Sequence, residues 1–348
     1  MRAIKFSIKR ALCALGFSQK TITHLSFFYT RGKRNARIAL FLIQTMCRQN
    51  LIGGGQTSKG CACGDKAGGL PFADEIRDSS LKAKSPQTPP VLVSLTSFPA
   101  RLPYLHHTLY SLLTQDYKDF HIALFLSSSE LAPSKLPYIL KIFTKLGLLT
   151  IHFVEENLRA YKKLFYALQA YPSHIIITID DDQIYAPNTI SLLLESYARF
   201  PRAIHTHLAY DGAYMADILK LDSATYCAII EENAPHLALA SVGVSGVLYP
   251  PRAFTQEFFN KQAIISLAPY SDDLWFYVMS VLNDIPKVLV KGALEHPKES
   301  SIAQDESPNL WEINCEQNRN YDQLRALLQA YPQARVKILE SLGLAPRA

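Results

Sequence analysis

From residue 91 onward the apolar positions alternate between two textures. Short continuous runs, PVLVSLTSF, FHIALFLSSS, LLTIHFVEE and HIIITIDDD, each end in small polar or acidic residues. Between them lie segments with apolar residues three and four apart. The first is LPYLHHTLYSLLTQ, with Pro103 near its start and Leu105, Leu109, Leu112 and Leu113 on one side. PSKLPYILKIFTKLG, NLRAYKKLFYALQAYP and NTISLLLESYARF follow the same pattern. Continuous apolar runs bounded by breaks predict strands covered on both faces, and the 3.6-residue repeat predicts amphipathic helices. Four β–α units in a row predict an α/β protein: a Rossmann-like, mostly parallel sheet with helices on both faces. The second half is less regular. Strands are expected in AIHTHLAYDG, SVGVSGVLYPP and KVLVKGALEH, a strongly apolar helix in APYSDDLWFYVMSVLND, and closing helices around NYDQLRALLQA and QARVKILESLG.

The first ninety residues differ. MRAIKFSIKRALCALGF sets Ile4, Ile8, Leu12 and Leu15 along one helical face and Lys5 and Lys9 on another, and RGKRNARIALFLIQTMC repeats the theme. Residues 1–50 carry ten Lys or Arg and no Asp or Glu, so the net charge of +6 becomes about −4 (+6 less +10) over the other 298 residues. Their apolar parts are too short to span about 30 Å of hydrocarbon, and no small-x-small cleavage site follows. A basic helical segment with an apolar face suits the surface of an anionic membrane. A helix pair packed on the main domain and a nucleic-acid-binding arm are the alternatives. Residues 1–50 are therefore expected to hold the protein, without a nucleic-acid partner, on the inner face of the cytoplasmic membrane. Residues 51–90, rich in Gly, Ser, Lys and Pro, read as a linker, and 91–348 as one domain. Six cysteines show no disulfide-framework spacing and read as reduced thiols of a cytosolic protein. Cys61 and Cys63 have no His nearby and no second pair to complete a zinc site.

In parallel α/β sheets ligands bind at the carboxyl ends of the strands. Here those ends are Thr96-Ser97, Ser127 to Ser129, Glu155-Glu156 and Asp180 to Asp182. The last is the most charged. Side chains alternate along a strand, so Asp180 and Asp182 can point one way and Asp181 another. Two such carboxylates suit Mn²⁺ or Mg²⁺, which favour oxygen ligands and keep positions open for phosphates. A solvated acidic turn before a helix N-terminus is the plainer possibility.

At these residues the chain resembles the metal-dependent nucleotide-sugar glycosyltransferases of GT-A fold, near the broad family 2 group of bacterial surface-polysaccharide enzymes. The resemblance covers about residues 90–320. It rests on VSLTSFPARLPYLHHTLYSLLTQDY, on IIITIDDDQIY, and on GVLYPP with APYSDDLWFYVMSVLN. It implies a metal held by Asp182 with Asp180 as partner, and an acceptor hydroxyl deprotonated by an acidic residue of the SDD motif, Asp273 ahead of Asp272, with inversion at the anomeric carbon. An N-cap role is the alternative for that pair. Some related folds place a third metal ligand where His296 stands. Thr96, Ser97, Arg101, Lys162, Asp181 and Gly246 are the candidates for a donor-binding set, Arg and Lys supplying cations for a diphosphate. A strand-end cap for Thr96 and Ser97, solvent-exposed helix charge for Arg101 and Lys162, and a tight strand connection for Gly246 are the alternatives. The chain departs from the family at Ser127 to Ser129, where many members carry an acidic nucleotide-reading turn. The implied activity moves a hexose or hexosamine from a nucleotide-sugar donor, a UDP-sugar first, to a glycan or lipid-linked glycan acceptor. A sugar-phosphate nucleotidyltransferase and a non-catalytic, membrane-peripheral cation-binding module are the alternatives. LTSFPARLP lacks the glycine-rich loop common in the former.

Overall fold

The computed structural model describes residues 36–42, 44–45, 89–210, 212–219, 234–292 and 319–344. By compactness the chain divides into Met1–Thr88 and Pro89–Ala348. In the first unit 36–42 and 44–45 are helical, with Ile38, Ala39 and Leu42 buried and Leu40 exposed, the spacing of an amphipathic helix. The rest of the basic segment, residues 51–88 of the linker, His296, Trp311 and all six cysteines lie outside the described residues. Among the described residues no helix is long and apolar enough to cross a membrane.

In the second unit the predicted alternation is present. Strand β1 (Val91–Thr96) leads to α1 (His106–Leu113), β2 (Phe120–Ser127), α2 (Tyr138–Lys145), β3 (Thr150–Val154), α3 (Lys162–Ala170), β4 (Ile175–Thr178) and α4 (Thr189–Arg199). There follow β5 (Ile204–Thr206), α5 (Gly212–Leu219), β6 (Val247–Tyr249), α6 (Lys261–Leu267), α7 (Asp272–Leu282), β7 (Lys287–Leu289), α8 (Arg319–Ala330) and α9 (Pro332–Ser341). The short helices α5 and α6 were not marked by the apolar pattern.

The strands form one sheet in the order β3-β2-β1-β4-β6-β5-β7. β6 runs antiparallel to both β4 and β5, and the other pairings are parallel. This is the expected Rossmann-like, mostly parallel sheet. The chain steps outward from β1 to β2 and β3, then returns to place β4 on the other side of β1. Such a reversal opens a crevice at the carboxyl ends of the two strands on either side of it. Ser94 pairs with Thr178 in register, and the Ile179 N–H donates to Ser94 O at 3.0 Å. The crevice is therefore bordered by Ser97 on one side and Asp180 on the other.

Residues of both pleat directions in β1 and β4 are buried, so layers cover both faces of the sheet. Helix α7 is enclosed more fully still. Every residue from Leu274 to Val281 is buried, and Trp275 donates its indole N–H to Phe258 O at 3.1 Å. Burying each large apolar side chain contributes about 1.5–3 kcal/mol, which anchors α7 along its length. Its first turn, carrying Asp272 and Asp273, is fixed as a consequence.

Candidate active site

The three aspartates after β4 do not share one environment. Asp181 turns into the protein, where Ser97 Oγ donates to its Oδ2 at 2.5 Å and Arg101 to its Oδ1 at 2.8 Å. Its carbonyl accepts from Thr108 Oγ1 at 2.8 Å. Burial nevertheless holds its pKa above the ordinary carboxylate range, against the pull of Arg101. Asp180 and Asp182 keep their side chains 30% and 20% exposed. Asp182 Oδ2 lies 3.1 Å from Arg101 and Asp180 Oδ1 lies 2.7 Å from Lys163. Burial works against the charge on Arg101, but Asp181 and Asp182 outweigh it and its pKa stands above the ordinary value. The repulsion within the triplet is thus offset by two fixed cations.

Helix α7 brings the second acidic pair to the same place. Ser271 occupies its N-cap position without a side-chain cap bond, so neither aspartate is the N-cap residue. Asp272 is buried, and its Oδ2 stands 3.1 Å from Lys163 Nζ, at ion-pair distance but off hydrogen-bond alignment. Asp273 Oδ2 accepts the Gly243 N–H at 3.0 Å. Burial, and then the neighbouring Asp272, push Asp273 up to about 7, with Lys163 and the Gly243 N–H opposing. A carboxylate poised there is suited to take a proton at neutral pH.

A short turn links the two groups. Residues 243–245 form one turn of 3₁₀-helix, and Val247 then pairs with Thr178 of β4. Tyr185 OH accepts the Asp180 N–H at 2.9 Å and donates to Val244 O at 2.9 Å. At Gly243 a Cβ would stand 2.8 Å from Asp273 Oδ1 and 3.2 Å from Lys163 Nζ. Only glycine leaves room for that carboxylate.

The remaining expected residues are placed as follows. Thr96 Oγ1 donates to Phe125 O at 2.8 Å, across the β1–β2 pair. Lys162 is turned to Asn157 at 2.8 Å and Glu130 at 3.4 Å, and burial lowers its pKa against the pull of Glu130 and Asp181. Gly246 adopts φ +96° and packs beside Ile179 and Thr189, which makes it the sharp entry to β6. Trp275 is core. Sequence reasoning passed over Lys163. A signal for it existed in its position four residues before buried Ala167, on the covered face of α3.

Five carboxylates against two cations leave the cluster with an excess of negative charge. Among the described residues no three His, Cys, Asp or Glu side chains gather into a closed metal site. The donor set still fits a hard divalent ion. Mg²⁺ and similar ions are commonly held by one or two carboxylates, with phosphate and water oxygens completing the shell. Asp182 and Asp180, both partly exposed, are the residues that would hold it.

No family model matches the sequence, and no curated protein matches it. Solved structures with a similar chain path include S. aureus TarS 1–349, at 13% identity and a TM-score of 0.38, covering 58% of this chain and 58% of that one. The same protein in complex with UDP-GlcNAc matches at 14% and 0.39, over 63% and 59%. The mannosyltransferase PcManGT from Pyrobaculum calidifontis, in complex with GDP-Man and Mn²⁺, matches at 12% and 0.43, over 74% and 75%. The chain thus spans less than two thirds of the length of TarS 1–349. At such identities likeness concerns the chain path and leaves the chemistry to the side chains.

Proposed function

We propose that this protein is a metal-dependent glycosyltransferase that moves a hexose or hexosamine, with inversion, from a nucleoside-diphosphate sugar to a glycan or lipid-linked glycan acceptor. The observation that carries the reading is the meeting of two acidic groups, from the end of β4 and the start of α7, on one buried lysine. Asp180 and Asp272 both contact Lys163, at 2.7 and 3.1 Å. A UDP-sugar is the donor proposed first.

Each residue then has a task. Asp182 and Asp180 would hold a divalent ion, which when bound offsets charge on the departing diphosphate. Arg101, fixed by Asp181, keeps a cation at the crevice. Asp273, ionised above about pH 7, accepts the proton of the acceptor hydroxyl. The acceptor oxygen forms a bond to the anomeric carbon while the bond from that carbon to the diphosphate oxygen breaks. The nucleoside diphosphate leaves with the electron pair, on the face opposite the attack.

The test is turnover of a panel of nucleotide sugars with Mn²⁺, following nucleoside diphosphate release and the anomeric configuration of the product by NMR. Inverted product is expected. Retention would sink the base role of Asp273, and pyrophosphate release from a nucleoside triphosphate would replace transfer by nucleotidyl chemistry.

Location is part of the same proposal. The basic segment 1–50 would hold the enzyme peripherally on the inner face of the cytoplasmic membrane, next to a lipid-linked acceptor. Removing residues 1–50 should release the protein from anionic vesicles at low salt. Equal binding of the shortened protein would refute this.

A further inference from the structure

Lys163 occupies a position that no surface lysine would tolerate. Its side chain is 5% exposed, and an ammonium so buried is costly unless it is paired. Three carboxylates from two distant parts of the chain surround it. Asp180 Oδ1 at the end of β4 is 2.7 Å away and Asp272 Oδ2 at the start of α7 is 3.1 Å away. Asp273 stands across Gly243, where a single added carbon would meet both Lys163 Nζ and Asp273 Oδ1. The lysine's own backbone is pinned, since Ser94 Oγ of β1 donates to Lys163 O.

The division of labour with Arg101 is clear. Arg101 serves Asp181 and Asp182, which belong to one turn. Lys163 serves residues more than ninety positions apart, so it alone of the two cations joins the strand-end group to the helix group. Without it Asp180 and Asp272 would lose their shared counter-charge.

We propose that Lys163 is the positioning residue of this site, a fixed internal cation that holds the carboxylates of α7 in register with Asp180 and so sets where Asp273 takes up its proton. The role rests on the transfer reading above for its meaning in catalysis, but its physical content does not. Asp273 is faced by Asp272 from its own helix, by Lys163 from α3, by Asp180 from β4, and by the phenols of Tyr161, Tyr210 and Tyr249. Burial raises the pKa of all three phenols, which keeps them neutral. Of these groups Lys163 brings the positive charge. Its removal must therefore raise the pH at which Asp273 ionises, and so reduce the carboxylate form at pH 7.

The experiment compares the full-length wild type with Lys163→Met and Lys163→Arg, using aspartate labelled with ¹³C at the carboxyl. NMR titration from acid to alkali reads Asp273 directly, with Asp273→Asn assigning the signal. In Lys163→Met the Asp273 midpoint should rise by about one pH unit or more. The acid limb of kcat should move with it, and kcat at pH 7 should fall about fivefold or more, as the ionised fraction of Asp273 drops from about a half to about a tenth, while the donor KM changes by less than about threefold. Lys163→Arg should restore much of the midpoint. An unchanged midpoint in Lys163→Met would overturn the proposal, whatever happens to turnover. If Lys163→Met fails to fold, Lys163→Gln, which keeps a polar side chain without the charge, takes its place: the Asp273 midpoint should rise in it as well, and an unmoved midpoint there would overturn the proposal. A shifted midpoint in a protein that turns over no nucleotide sugar would leave the role of Lys163 standing and sink the transfer reading instead.

Discussion

The two acidic groups of the site are alike in sequence and unlike in surroundings. Asp180 to Asp182 follow a strand, and Arg101 and Lys163 sit on them at 2.7–3.1 Å. Asp272 and Asp273 open a helix enclosed by core, share Lys163 and one backbone N–H, and Asp273 is pushed up to about 7 by burial and by Asp272. A carboxylate's task follows from its environment. On the proposed reading the strand-end group, with Asp180 and Asp182 partly exposed, takes the cation and the diphosphate, and the helix group takes the proton. The difference lies in burial first, and then in the charges placed around aspartates of the same chemistry.

The most damaging way to break the contrast is to remove its proton acceptor. Asp273→Asn should lower turnover by about 10²–10⁴-fold and leave nucleotide affinity near that of wild type. In the wild type kcat/KM should rise with pH through about 7, since Asp273 acts as a base only when ionised. A flat pH profile across that range would remove Asp273 from the proton transfer. A smaller effect is expected from Gly243→Ala. Its methyl group would stand 2.8 Å from Asp273 Oδ1, and relief of such overpacking costs about 1–3 kcal/mol. The expected outcome is a loss of thermal stability with a fall in kcat of about tenfold, without change in donor KM. A fully active Gly243→Ala would mean that the position of Asp273 tolerates displacement.

Much of this arrangement was legible before the fold. The four β–α units were marked by apolar runs that stop in polar residues; the triplet stood out because charge follows directly on apolar sequence, and Asp272 and Asp273 because they immediately precede an apolar helix. What could not be read were contacts between segments far apart along the chain. Lys162 and Lys163 are neighbours of the same type, both buried, and only the packing of α3 against the sheet turns Lys163 to Asp180 and Asp272 and Lys162 to Asn157 and Glu130. Gly246 was singled out for the donor-binding set, in a stretch read as a loop over the sugar or a tight strand connection, and it stands at the entry to β6 with φ +96°. Gly243 matters because a carboxylate thirty residues away presses against it. Asp181 drew attention as one of three equal charges, but its partners Ser97 and Arg101 lie on the loop after β1, and they make it the brace of the triplet.

The measurement that tests the division of tasks most directly is thermal stabilisation by nucleoside diphosphates, with and without Mn²⁺, in wild type, Asp182→Asn and Asp273→Asn side by side. At 100 times its dissociation constant a ligand adds about 2.7 kcal/mol. Wild type and Asp273→Asn should both be stabilised, and only when nucleotide and Mn²⁺ are present together. Asp182→Asn should lose the Mn²⁺-dependent part. Full metal-dependent stabilisation in Asp182→Asn, or none with any nucleotide in the folded wild type, would contradict the assignment of the strand-end aspartates to the donor and of the helix aspartates to the proton.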